Sequence, residues 1–195
     1  MVPLAAARQN TEMVLSKEPS KTETSIPKRE LPKEIRLAAP SDEAEIFALL
    51  LMMHAENGVF SVDRLKVREG IKQGTERRGG MVFVIDGPTQ IEATIGLVLS
   101  PAAWYTSDVA LHEMWNFVHP DYRRSPHAKN LIEAAKWASG SLSRAGMPLT
   151  MAVVSNIRTE AKCRLYRRLV PAMGQFFVYN WPNKHSNGVA SSALR

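Results

Sequence analysis

The sequence of 195 residues holds a single cysteine, Cys163, so no disulfide can form within the chain, which fits a reducing compartment. Its five histidines are scattered and show none of the spacings of a metal centre, so no metal is expected. No stretch approaches the roughly 18–20 apolar residues that a membrane-spanning helix needs. The richest run, Ile46 to Met53, is bounded by Glu45 and His54 and suits a core helix. The opening residues lack a basic start followed by a sustained apolar segment, so no secretory leader and no membrane partner are expected, and the expected compartment is the cytoplasm. The only trace of a transit peptide is the lack of acidic residues before Glu12, against a lone Arg8 in that stretch.

What is present suffices for one domain of ordinary size, since 45% of the residues are hydrophobic. A formal charge of +6, from 25 Lys and Arg against 19 Asp and Glu, allows an anionic partner or a plain solvated surface. Residues 1–32 are expected to be a disordered tail. Ser, Thr, Lys, Glu and Pro dominate Ser16 to Pro32, and such composition buries too little apolar surface to offset the entropy of ordering. The folded domain is expected over residues 33–182, with a loose stretch at 183–195.

Periodicity sets out the elements. Glu34–Ala38 reads as a strand stopped by Pro40; Ser41 is a natural cap for a helix that runs to about His54. Ser61 can cap a second helix over Val62–Gln73, with Leu65 and Ile71 inward and Lys66, Arg68 and Lys72 outward. The period then changes to two. Met81–Asp86 and Gln90–Ser100 form a hairpin about Gly87-Pro88, and Asp108–Val118 is a long central strand. Pro126–Leu142 is an amphipathic helix burying Ala128, Leu131, Ile132, Ala135, Ala138 and Leu142. Leu149–Val154 is the next strand, Arg158–Leu169 a helix with Ala161, Leu165 and Leu169 as its buried stripe, and Gly174–Asn180 the last strand. The order is β-α-α-β-β-β-α-β-α-β. One parallel crossover among hairpins makes an α/β fold with a mixed, mostly antiparallel sheet flanked by helices.

The densest basic cluster sits where the central strand hands over to a helix, in VHPDYRRSPHAKNLIEAAKWA, Val118 to Ala138. A strand, a short turn and a helix N-terminus make an anion site, because the first amides of the helix lack intrahelical acceptors and carry the positive end of its dipole. Arg123, Arg124, His127 and Lys129 add side-chain donors. Read alone, the feature favours the plainer reading, a solvated basic helix start.

The same segment resembles the strand-to-helix motif of the GNAT superfamily of N-acetyltransferases, V-x-P-x-Y-R-x-x-G-x-G/A-x-x-L-L/I, with Val118, Pro120, Tyr122, Arg123, Ala128, Leu131 and Ile132 on its positions. IRLAAPSDEAEIFALL resembles the opening strand and helix of that family and RTEAKCRLYRRL its fourth helix, so the likeness spans about residues 34–180. It implies acetyl-CoA as co-substrate and an amine acceptor, small molecule or protein. Phe117 and Val118 would contact the pantetheine, with Asn156 either bonding its amide or serving the turn. Arg123, Arg124, Ser125, Pro126, His127, Ala128 and Lys129 would form the pyrophosphate turn. Residues His54, Glu56 and Asn57 on one side, and Tyr179, Asn180 and Trp181 on the other, would line the acceptor pocket. Two positions depart from the pattern. Pro126 replaces the first glycine and removes one N–H from the turn while suiting a helix start, and Val170-Pro171 stands where the family has Gly-Phe.

Amine acylation needs a base for the ammonium and an acid for the thiolate, each role contributing about 10²–10⁴ in rate. Glu113 interrupts an apolar strand, where a carboxylate is costly unless it lines a cleft, and is the candidate base; His112 and His119 are its rivals. A strand bulge would change which face Glu113 takes. Tyr166, in the Leu165-Tyr166 pair that resembles the family's, is the candidate acid. Direct transfer leaves no nucleophile's role for Cys163. Two other readings stay open: a catalytically inactive CoA-binding or regulatory module, motivated by Pro126, and a nucleic-acid binder, ranked last for want of basic residues interleaved with aromatics. A homodimer is compatible with all of them.

Overall fold

The computed structural model describes residues 30–57, 60–143, 146–153 and 159–172. Strands β2 (Gly80–Asp86) and β3 (Ile91–Pro101) pair antiparallel around a turn in which the Gly87 N–H donates to the Gln90 carbonyl at 2.8 Å. Strand β1 (Ile35–Leu37) lies antiparallel against β2, and β4 (Val109–Val118) antiparallel against β3. Helix α3 (His127–Ser141) carries the chain over the sheet to β5 (Leu149–Thr150), which runs parallel to β4. The sheet order is β1-β2-β3-β4-β5. With α1 (Glu43–Asn57), α2 (Arg64–Thr75) and α4 (Thr159–Leu169), the result is a mixed, mostly antiparallel sheet flanked by helices, in the expected order as far as α4. The expected last strand and nearly all of the expected tail lie outside the described residues.

Alternation along the strands feeds two apolar layers. Phe83 and Ile85 of β2, with Ile95, Leu97 and Leu111, meet Leu131, Ala134, Ala135 and Ala138 of α3. Val82 and Val84, with Ile91, Trp115 and Phe117, meet Ile46, Phe47, Leu49 and Leu50 of α1 and Ile71 of α2. A strand buried on both faces reads as a continuous apolar run, which is how MVFVID reads. Each fully enclosed Ile, Leu or Phe contributes about 1.5–3 kcal/mol.

Several local expectations are corrected. Helix α1 begins after a 3-10 turn at Pro40–Asp42 rather than at a Ser41 cap; Asp42 Oδ2 accepts from the Ala39 N–H at 2.7 Å and from Arg36 at 2.6 Å. Helix α2 is capped by Asp63, not Ser61, its Oδ1 accepting from the amides of Leu65 and Lys66 at 3.0 and 3.2 Å. A carboxylate there also meets the positive end of the helix dipole. The later start directs the row Val67, Ile71, Gly74, Thr75 inward and leaves Leu65 80% exposed. Leu142 follows the last turn of α3 and is exposed, while Ala134 takes its place in the core. Strand β5 is two residues long instead of six, and pairs only with Leu111 and His112. On α4 the buried residue is Tyr166, while Ala161 is exposed and Leu165 and Leu169 are half-buried.

Candidate active site

Strand β4 is bulged at its centre. Leu97 faces Glu113 and Gly96 faces Trp115, so Met114 has no partner on β3. Met114 and Trp115 in consequence both pack on the α1–α2 layer, while Leu111 and Val118 belong to the α3 layer. Alternation resumes one residue out of phase. Glu113 and Asn116, three apart, therefore share one face, where a regular strand would set them on opposite faces. Trp115 is fixed on the other side: its indole lies on Gly96, where a Cβ would stand 2.4 Å from the ring, and its N–H donates to Thr94 Oγ1 at 3.3 Å.

The face shared by Glu113 and Asn116 meets α4. The Tyr166 hydroxyl donates to Glu113 Oε1 at 2.7 Å and accepts from Asn116 Nδ2 at 3.3 Å. Glu113 Oε2 is shut off from solvent and has no hydrogen-bond partner among the described residues. Burial pushes the Glu113 carboxyl up to about 7, against the Tyr166 hydrogen bond and the Lys162 charge, which pull it down. Burial first, then the neighbouring carboxylate, pushes the Tyr166 phenol up. A carboxyl near neutrality bonded to a phenol that resists ionisation is suited to taking and returning a proton.

Tyr166 and Asn116 border a cavity of about 210 Å³ whose other walls are Phe117 and Val118 of β4, Arg123, Ser125 and Ala128 of the turn and α3, Ala161, Lys162 and Leu165 of α4, and Glu56 at the end of α1. It opens where β4 has left β5 behind: among the described residues no strand pairs with Glu113 to Val118 on that side. The backbone groups there can serve an extended ligand as a neighbouring strand would. At the first turn of α3, the His127 amide donates to Ser125 Oγ at 3.3 Å, and no acceptor among the described residues takes the Ala128 and Lys129 amides.

Of the residues expected on the cofactor, then, Phe117, Val118, Arg123, Ser125 and Ala128 share this cavity with Tyr166. Arg124 and Lys129 are exposed, and Pro126 is the exposed N-cap of α3 (φ −77°, ψ 2°) with no side-chain bond. His127 turns away: its Nε2 lies 2.7 Å from Glu92 Oε2 on β3, in a pair sheltered from solvent. Arg123 is held by Glu56 and stands over the Phe117 ring, 5.9 Å from its centre. Glu113 does not line the cavity and reaches it through Tyr166. Its rivals lie elsewhere, His112 bonded to Thr150 Oγ1 at 2.6 Å and His119 accepting from the Asp121 amide. Asn156, Tyr179, Asn180 and Trp181 lie outside the described residues.

Two residues escaped the sequence reading, Asn116 and Glu92, as did the partners that Arg123 and His127 take. Asn116 was detectable as a lone polar residue among the apolar ones of β4, but only the bulge sets it beside Tyr166. The Glu56–Arg123 and Glu92–His127 pairs join residues 67 and 35 positions apart, and nothing local announces either.

No protein-family model matches the sequence, and no curated protein sequence matches it. Solved structures do match the fold. A possible acetyltransferase from Clostridium difficile 630 superposes with a TM-score of 0.58 at 18% identity, covering 75% of this chain and 95% of that one. An aminoglycoside antibiotic 6'-N-acetyltransferase from Acinetobacter haemolyticus gives 0.57 at 14%, covering 74% and 94%. A ribosomal-protein-alanine N-acetyltransferase from Brucella melitensis biovar Abortus 2308 gives 0.54 at 19%, again covering 74% and 94%. The fold is that of the GNAT acetyltransferases, over nearly the full length of those proteins.

Proposed function

We propose that the protein is an N-acetyltransferase that passes an acetyl group from acetyl-CoA to an amine by direct attack. The reading rests above all on one observation, the cavity beside the splayed end of β4, where Tyr166 stands between the open space and a buried carboxyl near neutrality. The residues present fit the co-substrate. Free amides and the helix dipole at Ala128 and Lys129, with Arg124 nearby in sequence, suit a pyrophosphate. The unpaired side of Asn116 to Val118 suits the pantetheine amides.

Tyr166 and Glu113 supply the proton traffic as a pair. The amine, entering uncharged, adds to the thioester carbon and becomes an ammonium in the tetrahedral adduct. The Tyr166 oxygen accepts the ammonium proton as its own proton moves to Glu113 Oε1. On collapse the C–S bond breaks, Glu113 returns its proton to the Tyr166 oxygen, and Tyr166 protonates the sulfur. Amide and free thiol leave, and both side chains are restored. An alkyl thiol such as cysteine titrates near 8.5, so a carboxyl at about 7 gives its proton up readily. Asn116 holds the hydroxyl oxygen in place.

The acceptor class is any primary amine that reaches this cavity. The aminoglycoside and ribosomal-protein enzymes of similar fold supply two amines to begin with. Pro126 favours a second reading, a module that binds CoA weakly and transfers nothing, because it takes one donor from the turn. The test has two stages. Acetyl-CoA at about a hundred times its dissociation constant should stabilise the full chain by about 2.7 kcal/mol in a thermal melt. Thiol release is then followed with aminoglycosides, polyamines and an alanine-initiated peptide. Stabilisation without release for any amine leaves the module; no stabilisation removes both readings.

A further inference from the structure

The guanidinium best placed to meet an anion in the cavity is already occupied. Arg123 donates to Glu56 Oε1, the two side chains being 22% and 27% exposed, and both line the space that Tyr166 borders. Glu56 is on the last turn of α1, whereas Arg123 follows the 3-10 turn at Pro120–Tyr122. The pair thus bridges the cavity from one layer of the fold to the other. Phe117 beneath the guanidinium keeps it over the cavity floor. The other charged residue in the lining is Lys162 of α4.

We propose that Glu56 is a placeholder: its carboxylate occupies Arg123 until the pyrophosphate of the acyl donor takes that guanidinium, and the released carboxylate then receives the ammonium of the acceptor. The inference rests on the transferase reading above. Its chemistry is an exchange of partners. Phosphate oxygens match the planar fork of Arg123 as well as a carboxylate does and carry more charge, while the Ala128 and Lys129 amides favour the anion further. Glu56, left without its cation on the α1 side of the cavity, is the one acidic group among the described lining residues and so the one there to receive an incoming ammonium. Binding is therefore ordered, with donor before acceptor, and the acceptor is a cation at rest. It sheds its extra proton to solvent before attack.

The test is titration calorimetry of the full chain and of Glu56→Gln with coenzyme A and, separately, with pantetheine, which lacks the pyrophosphate. Loss of the competing carboxylate should tighten coenzyme A about three- to ten-fold, the size of a partly exposed ion pair given up on binding, and leave pantetheine unchanged. In steady state the same variant should raise KM for the best amine about ten-fold with kcat held within about two-fold, as loss of a uniform binding contact does. Equal or weaker coenzyme A binding by Glu56→Gln, or tightening of both ligands alike, overturns the exchange while the transferase reading stands. Absence of coenzyme A binding by both proteins overturns both.

Discussion

The Tyr166 hydroxyl donates to Glu113 Oε1 across 2.7 Å and accepts from Asn116 Nδ2, in a side chain that lines the cavity. In this state it is an acceptor on the cavity side, and it becomes a donor there only when Glu113 holds the proton. In the proposed mechanism the two side chains act as one proton-handling unit whose state is set by a carboxyl raised to about 7.

Kinetics read that unit directly. Tyr166→Phe and Glu113→Gln should each lower kcat about 10²–10⁴-fold, and the double variant should be no slower than the worse single one. The shuttle begins with the carboxylate, so wild-type kcat rises with pH through about 7. That inflection should vanish in both single variants. A Tyr166→Phe profile that keeps the inflection means Glu113 reaches the amine without Tyr166, and the shuttle is wrong.

Stability carries the same signature with the opposite sign. The folded-state pKa of Glu113 lies above its ordinary value of 4.5, so the native chain retains a proton that the unfolded chain has released. Stability contributed by the neutral carboxyl is whole below about pH 4.5 and is lost as pH rises to about 7, by about 3 kcal/mol in all. Glu113→Gln has no such loss. Urea denaturation should show the variant gaining about 2–3 kcal/mol on wild type between pH 5 and pH 8. A difference that does not change with pH removes the burial argument.

The bulge that brings Glu113 and Asn116 together depends on how closely Trp115 approaches the backbone. Gly96→Ala would drive a methyl to 2.4 Å from the indole, and Trp115, enclosed by the α1–α2 layer, has nowhere to move. A loss of about 2–4 kcal/mol in denaturant melts is expected, with kcat falling further than folding accounts for, because Trp115 neighbours Asn116. Unchanged turnover in the folded fraction separates the bulge from catalysis.

What was legible in the sequence follows from the range of the forces involved. The hairpin of β2 and β3, the crossover through α3 and the short turn that leads into it are written in neighbouring residues, as periodicity and turn chemistry. Cap positions were harder, since Ser61 and Asp63 compete within one turn and the choice rotates α2, which is why Leu65 was misassigned. Glu113 and Tyr166 were singled out one by one, as a misplaced carboxylate and a matched motif position. Their contact, and the place of Asn116 in it, come from a register shift set by packing against Gly96. No pattern within β4 reveals that shift. The commitments of Arg123 to Glu56 and of His127 to Glu92 are long-range for the same reason, and they hold two of the expected pyrophosphate side chains against protein carboxylates.

Pro126 gives the sharpest trade between fold and ligand. As N-cap of α3, at φ −77°, it lies in a conformation its ring prefers, and it lowers the entropy of the unfolded chain by about 0.4–1 kcal/mol. It also lacks an N–H beside the unoccupied amides of Ala128 and Lys129, the place a pyrophosphate would take. Pro126→Gly restores that donor to an anion, a charge-assisted bond worth about 1.5–3 kcal/mol before reorganisation. The variant should melt a few degrees lower without ligand and bind coenzyme A about three- to thirty-fold more tightly by calorimetry, with pantetheine affinity unchanged. Tighter binding of pantetheine as well would mean that the substitution loosens the whole cavity. No gain for coenzyme A would mean that the pyrophosphate lies away from this turn.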